Sequence, residues 1–323
     1  MRRLLLATAI AAASAAIGQD SLREDASRLF GRIESKTYAP TPEVELGRAL
    51  FWDVRVSTDG KTACASCHAP ADWGADRRRF SPDARGALTS RQSPTVFNSM
   101  GLELLRWLGD RKGGAAQAES SITGSMGFAS KEAAMEKLKE LGYGDAFAKA
   151  YPGDASALSA GNYARALAAY QATLTTPAAF DRYLGGDENA LTAQQKAGLR
   201  AFISNGCAGC HSGALLGGTT FQKFGLVKEY WVETGSDKRD VGRFSVTKKE
   251  EDRYVFRVPT LRNVAKTAPY FHDGSVERLD RAVQVMAAVQ LGRTLDDKTT
   301  ADIVAFLESL TGEVPAHYAP PAK

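Results

Sequence analysis

Cys64-Ala65-Ser66-Cys67-His68 and Cys207-Ala208-Gly209-Cys210-His211 are two C-x-x-C-H runs, and together they use all four cysteines of the chain. The spacing suits covalent attachment of a c-type haem. Two thiols add to the haem vinyl groups, and the histidine that follows reaches the iron. A zinc site would need the two halves to converge and would leave each histidine surplus. A thioredoxin-like pair would open a helix after a strand, which nothing near either run suggests. Two covalent haems imply one-electron chemistry, so the next question is what fills the sixth position on each iron. Four histidines are present, and His272 and His317 remain after His68 and His211. The other candidates are Met100, Met126, Met135 and Met286. On periodicity alone Met286 reads as core, because Leu279, Ala282, Val283 and Met286 share one apolar helix face and methionine is a common gap filler. The other three methionines read the same way. His317 lies in a proline-rich tail and reads as solvated. His272 precedes the Met286 helix and reads as a ligand or a hydrogen-bonding support.

The elements that must position these residues read as helices joined by long loops. Helices are expected over Ser130 to Leu141, with Ser130 as N-cap, Asn162 to Thr173, Thr192 to Ile203, Val276 to Val289, and Thr300 to Leu310. A short strand is expected over Tyr254 to Val258. The two halves echo each other. Glu45-Leu46-Gly47-Arg48-Ala49-Leu50-Phe51 precedes the first haem run and Lys196-Ala197-Gly198-Leu199-Arg200-Ala201-Phe202 the second. The expected fold is mainly α, with two cytochrome c-like domains of one haem each. The boundary falls near Thr176 to Asn189, giving residues 20–180 to the first domain and residues 181–323 to the second.

Residues 1–19 read as a secretory signal peptide, with Arg2 and Arg3 before the apolar run Leu4 to Ile17 and a cleavable Ala13-Ser14-Ala15. The run is short for a membrane span. The expected location is the periplasm, with no span after cleavage. The formal charge of +4 includes two arginines of that segment, and mixed signs elsewhere give no reason to expect nucleic acid or a membrane surface as partner.

Several blocks resemble the bacterial di-haem cytochrome c peroxidases, a superfamily that includes the methylamine dehydrogenase maturation enzyme. They are Ser93-Pro94-Thr95-Val96-Phe97-Asn98, Trp107, Val241-Gly242-Arg243-Phe244, Pro259-Thr260-Leu261-Arg262-Asn263-Val264-Ala265, Ala268-Pro269-Tyr270-Phe271-His272-Asp273-Gly274, and Ala282-Val283-Gln284-Val285-Met286. The resemblance runs from about Glu43 to Gly312. It implies that Met286 is the distal ligand of the C-terminal haem, where the maturation enzyme has tyrosine. It implies that Trp107 carries electrons between the haems and that Gln117 lies near the peroxide pocket. It also implies a calcium ion between the domains, for which Gln92, Thr267 and Pro269 match contributing positions.

Two departures stand out. Counted without gaps, Ala84 falls where many of these peroxidases carry a histidine that caps the resting peroxidatic iron. Gly127 falls at the pocket glutamate, an acid/base for splitting the O–O bond, and Glu119 is the nearest carboxylate in sequence. The resulting expectation is a peroxidase with an open N-terminal haem. Its C-terminal haem takes electrons from a cytochrome c or copper protein, and hydrogen peroxide is the oxidant. The alternatives are a di-haem oxidase like the maturation enzyme, and an electron carrier or redox sensor without catalysis. Family members are often homodimers.

Overall fold

The computed structural model describes residues 21–35 and 37–322; the expected signal peptide lies outside them. The longer helices are α1 (Pro42–Trp52), α2 (Gly113–Thr123), α3 (Lys131–Glu140), α4 (Ala160–Gln171), α5 (Ala193–Ser204), α6 (Leu279–Leu291) and α7 (Asp297–Glu308). Residues 21–29 are helical as well. Local chemistry explains where several begin. Thr41, Ser130, Ser159 and Thr192 each accept a backbone N–H of the first turn with the side-chain oxygen, which satisfies donors the helix itself leaves free. The last helix begins three residues before the expected Thr300, because Asp296 accepts the Thr299 N–H at 2.6 Å and caps it. None of the described helices is long and apolar enough to cross a membrane.

Among the described residues, strand is confined to two short antiparallel pairs. β1 (Leu104–Leu105) pairs with β2 (Arg111–Lys112), and β3 (Phe221–Lys223) with β4 (Val255–Arg257). The first pair is a hairpin whose loop carries Arg106, Trp107 and Asp110. β4 lies within the expected strand Tyr254 to Val258.

The echo between the halves is also structural. α1 packs against α4, and α5 against α7. At each crossing stands the glycine common to both echo segments. A Cβ on Gly47 would sit 1.9 Å from the Ala166 carbonyl oxygen, and one on Gly198 would sit 1.8 Å from that of Asp302. Only glycine lets the two backbones approach so closely.

Among the described residues, burial divides into two large clusters and a small third one around Tyr270, Val276 and Ala282. One large cluster holds Leu46, Leu50, Phe97, Leu138, Phe147, Tyr163 and Tyr170, and the other Phe180, Tyr183, Leu199, Phe202, Phe306 and Leu310. The ends of the described chain cross between them. Leu22, Ala26 and Phe30 pack in the second cluster, whereas Tyr318 packs in the first. His317 corrects the expectation of a solvated residue: its ring stacks on Tyr38 at 4.1 Å, and one ring nitrogen lies 2.9 Å from Thr173 Oγ1. Tyr38 and Thr173 supply a flat apolar surface and a hydroxyl, which outweigh the proline-rich context.

Candidate functional site

Both C-x-x-C-H runs fold the same way. A single 3-10 turn, Cys64–Ser66 or Cys207–Gly209, brings the two thiols onto one side. The histidine N–H then bonds the carbonyl of the first cysteine, at 3.1 Å for His68 and 3.0 Å for His211. In each case the ring Nδ1 meets a backbone carbonyl, Gly74 at 2.7 Å and Leu216 at 3.2 Å. That contact fixes the ring and leaves Nε2 as the nitrogen free to bind a metal. Burial pushes both imidazoles below their ordinary pKa, so they are neutral and able to ligate. Tyr318 adds a hydrogen bond from its hydroxyl to the His68 carbonyl.

Each run opens into its own cavity. The second is lined by Cys207, Cys210, His211, His272 and Met286. The buried side chains of α6 are Ala282, Val285, Ala287 and Val289, while Met286 is only partly buried and borders the cavity. That is where the core reading of periodicity fails. Two polar atoms on this wall, Arg257 Nη1 and His272 Nε2, are buried with no hydrogen-bond partner among the described residues. An apolar cavity with paired thiols, a fixed imidazole, a thioether and two such polar atoms fits an attached haem bearing acidic side groups. Burial alone lowers the Arg257 guanidinium to about 10, which marks how strongly that site favours an anionic neighbour.

The first cavity is lined by Cys64, Cys67 and His68, and His68 is its one histidine among the described residues. Arg106, Gln117, Ser121, Ser125 and Met126 form part of its wall. Met126, read as core, is both: it is 4% exposed in the first cluster and borders the cavity. Gln117 accepts from Arg106 Nε at 2.6 Å, and Arg106 Nη2 reaches Ser120 Oγ at 3.0 Å. Ala84 and Gly127 do not border this cavity. Ala84 is buried, its Cβ 3.1 Å from where a Gly127 side chain would begin. The residues facing the cavity are their neighbours Asp83, Arg85, Ser125 and Met126. Glu119 turns away and pairs with Lys131 at 2.6 Å.

The two cavities share a wall. Gln92, Pro94, Thr95 and Trp107 border both. Trp107 donates its indole N–H to the Gln92 carbonyl at 2.9 Å, and the Gln92 N–H goes to the His272 carbonyl at 2.8 Å. From the second cavity, Arg257 donates its backbone N–H to the Trp107 carbonyl at 2.8 Å and its Nε to the Arg106 carbonyl at 2.9 Å. His272 stacks on Phe256 at 4.2 Å, with Trp107 6.2 Å away. The wall is tied further by Arg91, which holds Asp240 through two bonds of 2.6 and 2.8 Å. Asp240 in turn lies 3.8 Å from His272 Nε2. Gln92, Thr267 and Pro269 all border the second cavity, and the Gln92 amide nitrogen bonds the Asp76 carbonyl at 2.9 Å.

Sequence reasoning missed Arg106 and the Arg91–Asp240–His272 chain. The pairing of Arg91 with Asp240 spans 149 positions and leaves no local signal. Arg106 could have been found by its place beside Trp107.

Residues 41–189 match the family model described as di-haem cytochrome c peroxidase. The cytochrome c551 peroxidase of Pseudomonas aeruginosa is 43% identical over 309 residues, covering 92% of this chain and 88% of that protein. The methylamine utilization protein MauG of Methylophilus methylotrophus is 30% identical over 287 residues, covering 83% of this chain and 82% of that one. Among solved structures, a MauG-like protein associated with microbial copper homeostasis superposes with a TM-score of 0.74 at 25% identity, covering 90% of this chain and 97% of that one.

Proposed function

Because the chain belongs to the di-haem cytochrome c peroxidase family, and is thus an oxidoreductase, we propose that it reduces hydrogen peroxide in the periplasm with electrons from a small cytochrome c or copper protein. Haems attached through the two thiol pairs would supply one-electron centres, and one lacking a second protein ligand would offer a place for peroxide. In this reading His68 and His211 would each hold an iron, and Met286 would be the second protein ligand of the C-terminal one. Trp107 and Gln92, common to both cavities, form the path between them. The observation that carries the proposal is the inequality of the two cavities. One holds two imidazoles, His211 and His272, together with Met286. The other holds a single imidazole, His68, with Met126 and a polar wall of Arg106, Gln117 and Ser125. Gln117 gives its oxygen to Arg106, so its amide nitrogen is the donor available to a bound oxygen. A calcium ion on the Gln92 side chain and the Thr267 and Pro269 carbonyls belongs to the same reading, and hard oxygen donors suit it.

The test is the spectrum of the diferric protein followed by peroxide and a reduced cytochrome c. One high-spin and one low-spin haem, with rapid donor oxidation, supports the proposal. Two low-spin haems sink the open first site and point to Met126 as a sixth ligand. Among the described residues the cavity wall carries Asp83 and Asp110 but no glutamate, which favours the di-haem oxidase as second reading. Oxidation of a tyrosine- or tryptophan-bearing substrate in preference to the cytochrome would establish it.

A further inference from the structure

We infer that Arg106 is a catalytic residue of the first cavity, whose guanidinium stabilises the departing oxygen as the peroxide bond breaks. The inference rests on the peroxidase reading above. Three arginines border this cavity, and two are neutralised by close carboxylates: Arg85 by Asp83 at 2.7 Å, and Arg91 by Asp240 at 2.6 Å. Arg106 is different. Its nearest carboxylate oxygen, on Asp110, is 3.8 Å from Nη1, and Asp110 has a closer partner in Arg111 at 2.8 Å. Nε and Nη2 are held by Gln117 and Ser120. Nη1 makes no hydrogen bond among the described residues. The cavity therefore has a fixed cation with a donor to spare on the wall that carries Gln117.

The backbone is arranged for this placement. Arg106 adopts φ +65°, a left-handed conformation uncommon in residues other than glycine. Its carbonyl is clamped by Arg257 Nε at 2.9 Å from the second cavity, and Trp107 follows directly. Strained backbone that its surroundings hold in place is a recurrent feature of functional sites. A glycine or asparagine would fit this turn at lower cost, so the hairpin alone does not account for arginine.

The chemistry needs such a group. Peroxide reduction is H2O2 + 2 e− + 2 H+ giving two waters. The O–O bond breaks with its electron pair on the departing oxygen. The electrons come from the donor protein by way of the two haems, and the protons come from water. Negative charge thus develops on the departing oxygen before its proton arrives. A guanidinium is a pure donor that stays charged. It cannot replace the proton transfer of a carboxylic acid, but it stabilises the charge that the acid would have quenched, where preorganised donors are most effective.

The experiment uses the di-haem protein with Arg106→Leu and Arg106→Lys, each checked for full covalent haem content. The first readout is fluoride affinity of the diferric protein by absorption titration. Fluoride is a small anion that tests the donor without turnover. Arg106→Leu should weaken it roughly 10- to 100-fold, and Arg106→Lys should recover part. The second is the rate of the spectral change on mixing with peroxide, expected to fall about 10²-fold in Arg106→Leu. Unchanged fluoride affinity and peroxide rate in a fully loaded Arg106→Leu overturn the inference. If that variant does not retain both haems, Arg106→Gln gives the same comparison. Failure of the wild type to oxidise any donor with peroxide overturns the peroxidase reading instead. A wild type that binds no fluoride overturns the open iron on which the inference stands.

Discussion

A carboxylate installed at residue 125 and one installed at residue 127 should have opposite fates. Ungapped counting points to Gly127 as the place of the missing pocket glutamate, yet the backbone there has φ +81°, and a Cβ would sit 2.4 Å from Thr58 Oγ1 and 3.1 Å from Ala84 Cβ. A non-glycine residue in the left-handed region costs about 1–2 kcal/mol, and crowding a closed site adds about 1–3 kcal/mol. Gly127→Glu is therefore expected to lose roughly 2–5 kcal/mol. That corresponds to a fall in melting temperature of roughly 5–15 °C for a domain of this size, with no gain in peroxide turnover. Ser125 is exposed and borders the cavity. Its structural task, accepting the Ala84 N–H at 2.9 Å, belongs to the backbone carbonyl, which any residue supplies. Ser125→Glu should melt near the wild type and raise the rate of peroxide cleavage by up to about 10²-fold, the lower end of what a positioned general acid contributes. The assays are thermal denaturation of the haem-loaded proteins and stopped-flow mixing with peroxide. A Gly127→Glu protein as stable as wild type, and faster, would refute the reasoning.

Other perturbations have equally definite outcomes. Met286→Ala should abolish the thioether-ligated low-spin signature of one haem and leave the other unchanged; an unaltered spectrum removes Met286 from the ligand set. The Arg262 guanidinium and the Asp181 carboxylate meet through two bonds, of 2.7 and 2.9 Å, with side chains 1% and 6% exposed. Arg262→Met strands a buried charge and should cost about 3–5 kcal/mol, readable as a shifted denaturant midpoint. Acid should loosen the shared wall. Burial lowers the pKa of His272 from the ordinary 6.5. Burial alone would raise the Asp240 carboxyl, but the hydrogen bonds and charge of Arg91 outweigh it and hold the group below its usual 3.8. Both groups bind fewer protons folded than unfolded. Their stabilisation is present at neutral pH and declines on acidification, from about pH 6.5 for His272 and below about pH 4 for Asp240. The melting temperature should fall between pH 7 and 5, and His272→Gln should flatten that limb. A flat profile in the wild type contradicts it.

The chemistry of this chain was legible where it is local. A C-x-x-C-H run prescribes its own turn, and Ser130 and Thr192 cap the helices their side chains announce. Gly47 and Gly198 could be paired from the echo alone, although their reason, two backbone crossings, is tertiary. What escaped was set by residues distant in sequence. Met286 shares a helical stripe with true core residues, and periodicity does not tell a wall of a cavity from a wall of a core. Ala84 and Gly127 were reached by counting, and counting does not see that a left-handed glycine turns the chain so that Ser125 and Met126 face the cavity. Arg106 carries no motif; its importance lies in the distance to Asp110, which no spacing rule encodes.

The crossing of the two chain ends bears on how the molecule can be made and divided. Residues 22–30 complete the core built around Phe180 and Phe306, and Tyr318 completes the one beneath His68. The halves are laced to each other, so neither is a module. A fragment cut at the middle of the chain would lack a segment that packs in its own core. Contacts between segments this distant in sequence are slow to form. The two cores are therefore expected to be completed together, each waiting on a segment from the far end of the other half.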